Sequence, residues 1–595
     1  MALQSKIQLF IGGVPILAFK SISLEQEIDQ HHDLELVCRK DVLENITSTS
    51  DDESKDYLGQ ILVLKITSLN TFKAYKELKF KGVVTEVKST NGFLYQHSDL
   101  IIIKAKSSSI ITDDGPHFAS YSDAGLATII DNTFQLYDRS KLNTVINPGF
   151  SDTLHYSVQN GESSFQYASR LAKQYGEWFY YDGEDLVFGK PKDNEQVLLN
   201  YGQDLQEFSR NINPRSNSYA FFTNDYLNDQ QHELATQAVN TGMNSYNGFA
   251  SKKSEEIYPH KTNVFINTYN DPQIKQRLDT LVEQQKKSEE INQVIMSGKS
   301  DNPGVSLGKV VKIQNGPGDY TFRITKIKHE TTENGKYSNT FEGVSIAQDA
   351  SPKTNIRLHP KSDHQVAIVT DNADPEGLSR IKVQFYWQKP LGEFTPWLRV
   401  LTPHSGGEKG FHFIPEIGEE VLIGFEGGNA ERPFVMGTLY NGNAKSAGWN
   451  TKNNDVKAIR TRSGHTIELN DADGKEFITI IDQNANTIHI DTANNNITIT
   501  ALEKMTLNAK NFEMNVEQDA TFNIGQNTKM FTGMNFESSS LNHSNTVEDQ
   551  MTTNVGTRFT QNSGDAQILS KTNMKIACGA VAVLQGGGNV KISKG

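Results

Sequence analysis

Four features of this sequence could carry chemistry. His31-His32 sets two imidazoles side by side, the usual nitrogen donors for a transition metal. Asp371 to Gly377 (DNADPEG) is a run of oxygen donors with the flavour of a calcium loop. His404 and His412 flank a glycine-rich loop, where an imidazole could act as a base. His489 stands alone in the segment TIHID. None of the four is completed by its surroundings. No cysteine or carboxylate array follows His31-His32, so a solvated turn is the expected reading. DNADPEG lacks the ordered ligand spacing and the glutamate at position twelve, and reads as a turn. His404 and His412 have no paired nucleophile, which leaves a surface loop. His489 has no His-x-His partner. HExxH and Walker motifs are absent, and GPGDYT at Gly316 is not a GxGxxG. The expectation is a chain with no catalytic residues, no metal and no cofactor.

The elements that would position a site point elsewhere. The 595 residues suggest three or more domains. A formal net charge of -13 argues against a nucleic-acid partner. Cys38 and Cys578 lie at opposite ends, which excludes a disulfide framework and suits a cytoplasmic origin; Cys578 reads as a small apolar residue. The opening MALQSKIQLFIGGVPILAFKS lacks a signal-peptide pattern, and no apolar run is long enough to span a bilayer.

Residues 1–345 read as mixed strand and helix. IQLF, ILVLKI and LIIIKA are strand-like, and Asn91-Gly92 supplies a hairpin turn. Ser163 with Gln166 forms a capping box for a helix burying Phe165, Ala168, Ala172 and Tyr175. It leads into the aromatic strand Trp178 to Tyr181. Asp271-Pro272 would cap a second helix with Ile274, Leu278, Leu281 and Val282 on one face. Residues 346–364 are polar with two prolines, a linker. Residues 365–442 hold five short strands with glycine turns (VAIVT, RIKVQFYW, WLRVLT, EEVLIGFE, RPFVMGTLY), the pattern of an OB barrel. Residues 443–458 are a connector.

From residue 459 to 595 the pattern changes again. Asn450 to Gly595 contains 21 asparagines and no proline, which suits unbroken strand pairing. Apolar pairs recur: Ile467/Leu469, Ile478/Ile480, Ile488/Ile490, Ile497/Ile499, Met505/Leu507, Phe512/Met514 and Phe522/Ile524. Their spacing is an imperfect repeat of about eight to ten residues, a short strand and a polar turn. Each strand offers two side chains to a core. One chain with coils this short cannot enclose an interior, whereas three copies about an axis can. Ile478, Ile480, Ile488, Ile490, Ile497, Ile499, Met505 and Leu507 are then the expected axial core, and strand alternation turns His489 outward.

The barrel segments ADPEGLSRIKVQFYW, PWLRVLTP and GFHFIPEIGEEVLIGFEGGNAERPFVMGTLYNG closely resemble the OB fold of the VgrG family, the spike proteins of type VI secretion systems. IRTRSGHTIELNDADGKEFITI resembles that family's entry into its needle. NGESSFQYASRLAKQYGEWFYYDGEDLVF and SGKSDNPGVSLGKVVKI resemble parts of its hub. The resemblance implies a mainly β fold with some α: two related hub β-barrels, an OB barrel, then a triple-stranded β-helix or β-prism needle formed as a trimer. Its implied partners are two further copies of the chain, a hexameric tube protein at the hub, a PAAR-type cone protein at the tip near Val590 and Ile592, and effector proteins. The implied role is mechanical, puncturing an envelope after assembly in the cytoplasm and export without a signal peptide.

Relatives with enzymatic domains carry them between barrel and needle or after the needle. Here Gly442 reaches Ile459 in about 16 residues, too few for a domain, and apolar pairs continue as Met574/Ile576, Val581/Val583 and Val590/Ile592. No toxin domain is expected. Three alternatives remain open at this point: the same fold in a phage tail or phage-tail-like bacteriocin, a cell-wall hydrolase spike, and a glycan-binding adhesin.

Overall fold

The computed structural model describes residues 5–40, 54–69, 76–90, 99–192, 196–314 and 320–593. They fall into two units, 1–500 and 501–595. The Asn91-Gly92 turn and the glycines of GPGDYT lie outside the described residues.

The hub is one large sheet made of two halves with the same topology. In chain order the first half contains strands Ser5–Ile11, Ser21–Glu27, Asp33–Arg39, Ile61–Ser68, Leu78–Thr90 and Leu100–Ser107. The second contains Gln196–Asn200, Leu205–Ile212, Val294–Ser300, Val310–Gln314, Tyr320–Thr332 and Tyr337–Ser345. Across the sheet both halves run first, fourth, fifth, sixth, third, second. The likeness extends to a defect. Thr85 bulges out between Val84 and Glu86, and Thr325 bulges out between Ile324 and Lys326, each on the fifth strand facing the sixth. A bulge adds local twist, so repeating it at one place gives both halves the same curvature. One pairing differs: the first and fourth strands are antiparallel in the first half and parallel in the second.

The halves join where Ser21–Glu27 pairs with Lys326–Thr332, Ile327 opposite Gln26 and His329 opposite Leu24. One face of the sheet is charged and cross-linked by exposed ion pairs such as Lys328–Glu25 (3.1 Å) and Lys104–Glu86 (3.1 Å). The other face is apolar and packs against helices α1 (Leu126–Phe134), α2 (Ser164–Tyr175) and α4 (Ile274–Ile291).

Helix α2 starts as its sequence dictates. Ser163 Oγ accepts from Gln166 N and the Gln166 side chain accepts from Ser163 N. Gly176 ends it at φ 76°, a conformation that costs glycine little. Helix α4 departs from expectation. It begins at Ile274 with Gln273 as N-cap, not at Asp271-Pro272. Asp271 instead accepts from Gln273 N (2.7 Å) and pairs with buried Arg277 (2.5 Å), so its carboxylate anchors the first turn from outside. A third helix, α3 (Ser245–Ile257), lies with a small three-stranded sheet inside the long insertion between the second and third strands of the second half.

Residues 346–364 carry no strand or helix, yet Ala350 and Ile356 are buried in the hub core. The segment is polar in composition but packed at these points. The barrel follows, with sheet order Lys382–Phe385, Gln365–Asp371, Glu420–Phe425, Pro433–Thr438. The expected strand WLRVLT is not a full ladder. It makes single bridges, Leu398 to Ile381 and Val400 to Val435, and so touches both outer strands of that sheet and closes it.

Val456–Arg460, Thr466–Asn470, Phe477–Ile481, Thr487–Asp491 and Asn496–Thr500 form an antiparallel meander. The second unit contains no strand or helix among its described residues. Its backbone bends every seven or eight residues, from Leu502-Glu503 through Lys510-Asn511 and Glu517-Gln518 to Gly587-Gly588. Gly525, Gly533, Gly556, Gly564 and Gly579 also sit at bends. The period is shorter and steadier than the eight to ten residues read from the apolar pairs.

Candidate functional site

The largest chemical oddity is an apolar sheet face that the chain leaves uncovered. In the meander Ile459 opposes Ile467, Ile467 opposes Ile480, Ile480 opposes Ile488, and Ile488 opposes Ile499. A second ladder runs Leu469, Ile478, Ile490, Ile497. Both lie on one face because side chains two apart in a strand point the same way. Ile478 is 38% exposed and Ile497 69%. Full burial of such a side chain from water is worth about 1.5–3 kcal/mol, and covering these partly exposed ones would add the share not yet gained. On the opposite face His489 Nδ1 lies 2.7 Å from Thr479 Oγ1, beside the Phe477 ring. Met505, Leu507, Val590 and Ile592 lie in the second unit and are all exposed.

A second uncovered feature is backbone. Among the described residues no strand pairs with the outer edge of Leu205–Ile212. None pairs with Glu86–Thr90 on the side away from Leu100–Ser107. Unpaired edges are templates for another strand.

The hub and barrel meet through buried charge. Arg170 holds Glu162 with two parallel bonds (Nε to Oε1 2.8 Å, Nη2 to Oε2 2.9 Å) and donates to Val158 O (2.7 Å). Its Nη1 reaches Glu431 of the barrel at 3.4 Å. Glu431 also accepts from Val158 N (3.2 Å) and Ser157 Oγ (3.3 Å). Burial opposes the guanidinium charge, but Glu431 and Glu162 outweigh it and push Arg170 up. Nearby, barrel residue Glu393 accepts from Ser120 N (2.8 Å) and Ser120 Oγ (2.6 Å).

The histidine pair lies in the connection between Ser21–Glu27 and Asp33–Arg39, but it is buried where a solvated turn is the expected reading. His32 is fully buried and His31 nearly so, the latter against the Phe165 ring at 3.9 Å. His31 Nδ1 lies 2.9 Å from Ser109 Oγ and Nε2 3.5 Å from Asp113 Oδ2. These are the residue types of a hydrolytic triad, but Ser109 is 0% exposed, so its hydroxyl meets no substrate. DNADPEG is a turn: Gly377 N donates to Asp374 O (3.2 Å) and the Asp374 carboxylate clasps Arg380 (2.8 Å). His404 and His412 are exposed loop residues. Among the described residues no three His, Cys, Asp or Glu side chains gather as a metal would need, and no helix is long and apolar enough to cross a membrane.

Two family models cover this architecture. The phage tail baseplate hub (GPD) matches residues 25–335, and the type VI secretion system/phage-baseplate injector OB domain matches residues 365–440. The Pseudomonas aeruginosa spike protein VgrG2b is 24% identical over 330 residues, 48% of this chain and 30% of that one. VgrG5 of the same organism is 27% identical over 173 residues, 24% of this chain and 22% of that one. The matches thus span less than a third of these relatives' length. A chain of a Francisella PdpA–VgrG complex, solved half-lidded, shares the fold at 8% identity with a TM-score of 0.53, covering 84% of this chain and 88% of that chain. A duplicated hub sheet followed by an injector OB barrel defines a baseplate-hub protein of the contractile-injection class. The chain belongs to the VgrG family of type VI secretion spike proteins.

Proposed function

We propose that three copies of this chain form a non-enzymatic spike at the tip of a type VI secretion tube, which punctures target envelopes and carries effectors when the sheath contracts. The observation that carries the reading is the uncovered double ladder of Ile467, Leu469, Ile478, Ile480, Ile488, Ile490, Ile497 and Ile499. A flat apolar face of this size on a secreted chain calls for a cover, and two further copies supply an identical face. Met505 and Leu507 continue the alternation into the bending segment, and three strands bending in step would share one axial core. Val590 and Ile592, the last apolar pair, would seat a PAAR-type cone protein. The hub ring would sit on the hexameric tube protein. The protein would be assembled in the cytoplasm and leave it by contraction.

The hub supports the same stoichiometry. Superposing the two halves by their bulges makes Thr85 equivalent to Thr325 and Ser23 equivalent to Ser209. The pairing inside the chain, Ile327 opposite Gln26, then becomes Val87 of one copy opposite Ile212 of the next. Three chains closed this way give six equivalent half-barrels, the match for a sixfold tube.

The test is mass in solution, by light scattering of the full chain. Three times the 66.4 kDa chain mass supports the spike, and a stable monomer sinks it. The register has its own check. Val87→Cys with Ile212→Cys, in a Cys578→Ser background, should oxidise to covalent trimers, because opposed Cα atoms lie within about 4.5–5.5 Å. Val87→Cys with Phe208→Cys displaces the pair by roughly 13 Å along the strand and should not cross-link.

A further inference from the structure

The joint between the two hub halves contains buried imidazoles that the spike reading does not use. Gln26 and His329 are 2% exposed and His32 is 0%. The Gln26 side-chain amide lies between the two rings, Nε2 3.0 Å from His32 Nδ1 and Oε1 3.1 Å from His329 Nε2. His329 Nδ1 lies 2.7 Å from the Tyr337 hydroxyl, which accepts from Asn339 Nδ2 at 3.0 Å. Asn339 Nδ2 also donates to Asn302 O (2.9 Å). The chain of side chains therefore crosses from the second strand of one half to the fifth and sixth strands of the other.

Hydrogen-bond polarity fixes what this joint can accept. An amide has one donor end and one acceptor end. Whichever way Gln26 sits, one of the two ring nitrogens facing it must bear hydrogen and the other must be bare. Two imidazolium rings cannot both be satisfied, since the second N–H would meet the amide N–H. Nor do the surroundings favour even one positive charge. His32 faces His31, His329, the Glu27 carbonyl and the rings of Phe80 and Tyr181. His329 faces Gln26 and Tyr337, and Asp301 pushes the Tyr337 hydroxyl up. The nearer carboxylates, Asp113 and Asp33, act on His31, and Lys106 there opposes them.

We propose that this joint is a proton-operated latch, closed at neutral pH and parting between Ser21–Glu27 and Lys326–Thr332 as the medium acidifies. Burial holds His32 and His329 each at about 3, and holds His31 at about 4 against the pull of Asp113. An exposed imidazole takes a proton at about 6.5. Below that value the open state binds more protons than the closed one, so closure weakens as pH falls, down to the folded values. Within that window each titrating histidine raises the open population about tenfold per pH unit.

Hydrogen exchange of the full-length assembled protein at pH 7.5 and 5.0, corrected for intrinsic rates, tests the latch. Peptides over 21–27 and 326–332 should lose at least about a hundredfold in protection at pH 5.0. The pairing of Ile61–Ser68 with Leu78–Val83, which holds no histidine, should keep its own. His329→Gln retains an amide able to bond Gln26 and cannot titrate; it should recover about tenfold or more of the lost protection. Equal loss in both regions, or a His329→Gln protein that loses protection as the wild type does, overturns the proposal. The wild-type comparison decides by itself if the variant does not assemble.

Discussion

Ile488→Asp should abolish the proposed trimer. Ile488 lies between Ile480 and Ile499 in the longer ladder, so in the proposed trimer its replacement puts three carboxylates into the shared interior. An unpaired buried charge costs about 3–5 kcal/mol, and three of them together rival the roughly 5–15 kcal/mol that holds an ordinary fold together. Light scattering should give monomer mass, and resistance to heat should be lost. Asn495→Asp is the matched control. Asn495 sits in the turn between the last two strands at φ 57°, where Asn and Asp are both tolerated. It adds the same charge outside the interior and should leave mass and melting unchanged. Equal behaviour of the two variants would remove the isoleucine face from the assembly.

Arg170→Met should uncouple the barrel from the hub. The substitution keeps most of the volume on α2 but strands Glu162 and Glu431 without their cation. Breaking a buried pair in this way costs about 3–5 kcal/mol. Calorimetry should resolve two unfolding transitions in place of one, because the barrel has its own core around Val369, Val383, Phe385 and Ile423 and can melt separately. A single transition lowered by less than a degree would mean that the joint draws its strength from elsewhere, for example from Glu393 on Ser120.

Local signals were readable in the sequence, and non-local ones were not. The isoleucine pairs are legible because alternation along a strand is a property of two neighbouring residues. The Ser163–Gln166 box and the turns at Gly377, Gly418 and Gly474, all at positive φ, are legible for the same reason. The burial of His32 is not. Its neighbours Phe80, Tyr181 and His329 come from three distant parts of the chain. The hub duplication is implied by the family resemblance but is hidden in the residues themselves, because the halves share strand order and a bulged threonine but little sequence. An insertion of about 80 residues, from 213 to 293, also separates two strands that are joined by a tight turn in the first half. Asp271-Pro272 misled because a helix-capping residue type was recruited to Arg277 instead.

The regular bending of the segment after Thr500 makes length a counted quantity. Adding or removing one whole bend, seven or eight residues such as Gly525 to Thr532, shifts everything downstream by one step and leaves inside and outside unchanged. Removing a single residue exchanges the two sides of every strand segment up to the next bend that can absorb the slip. In the proposed spike, variation in shaft length should therefore come in multiples of the repeat, so that reach can be adjusted in discrete increments.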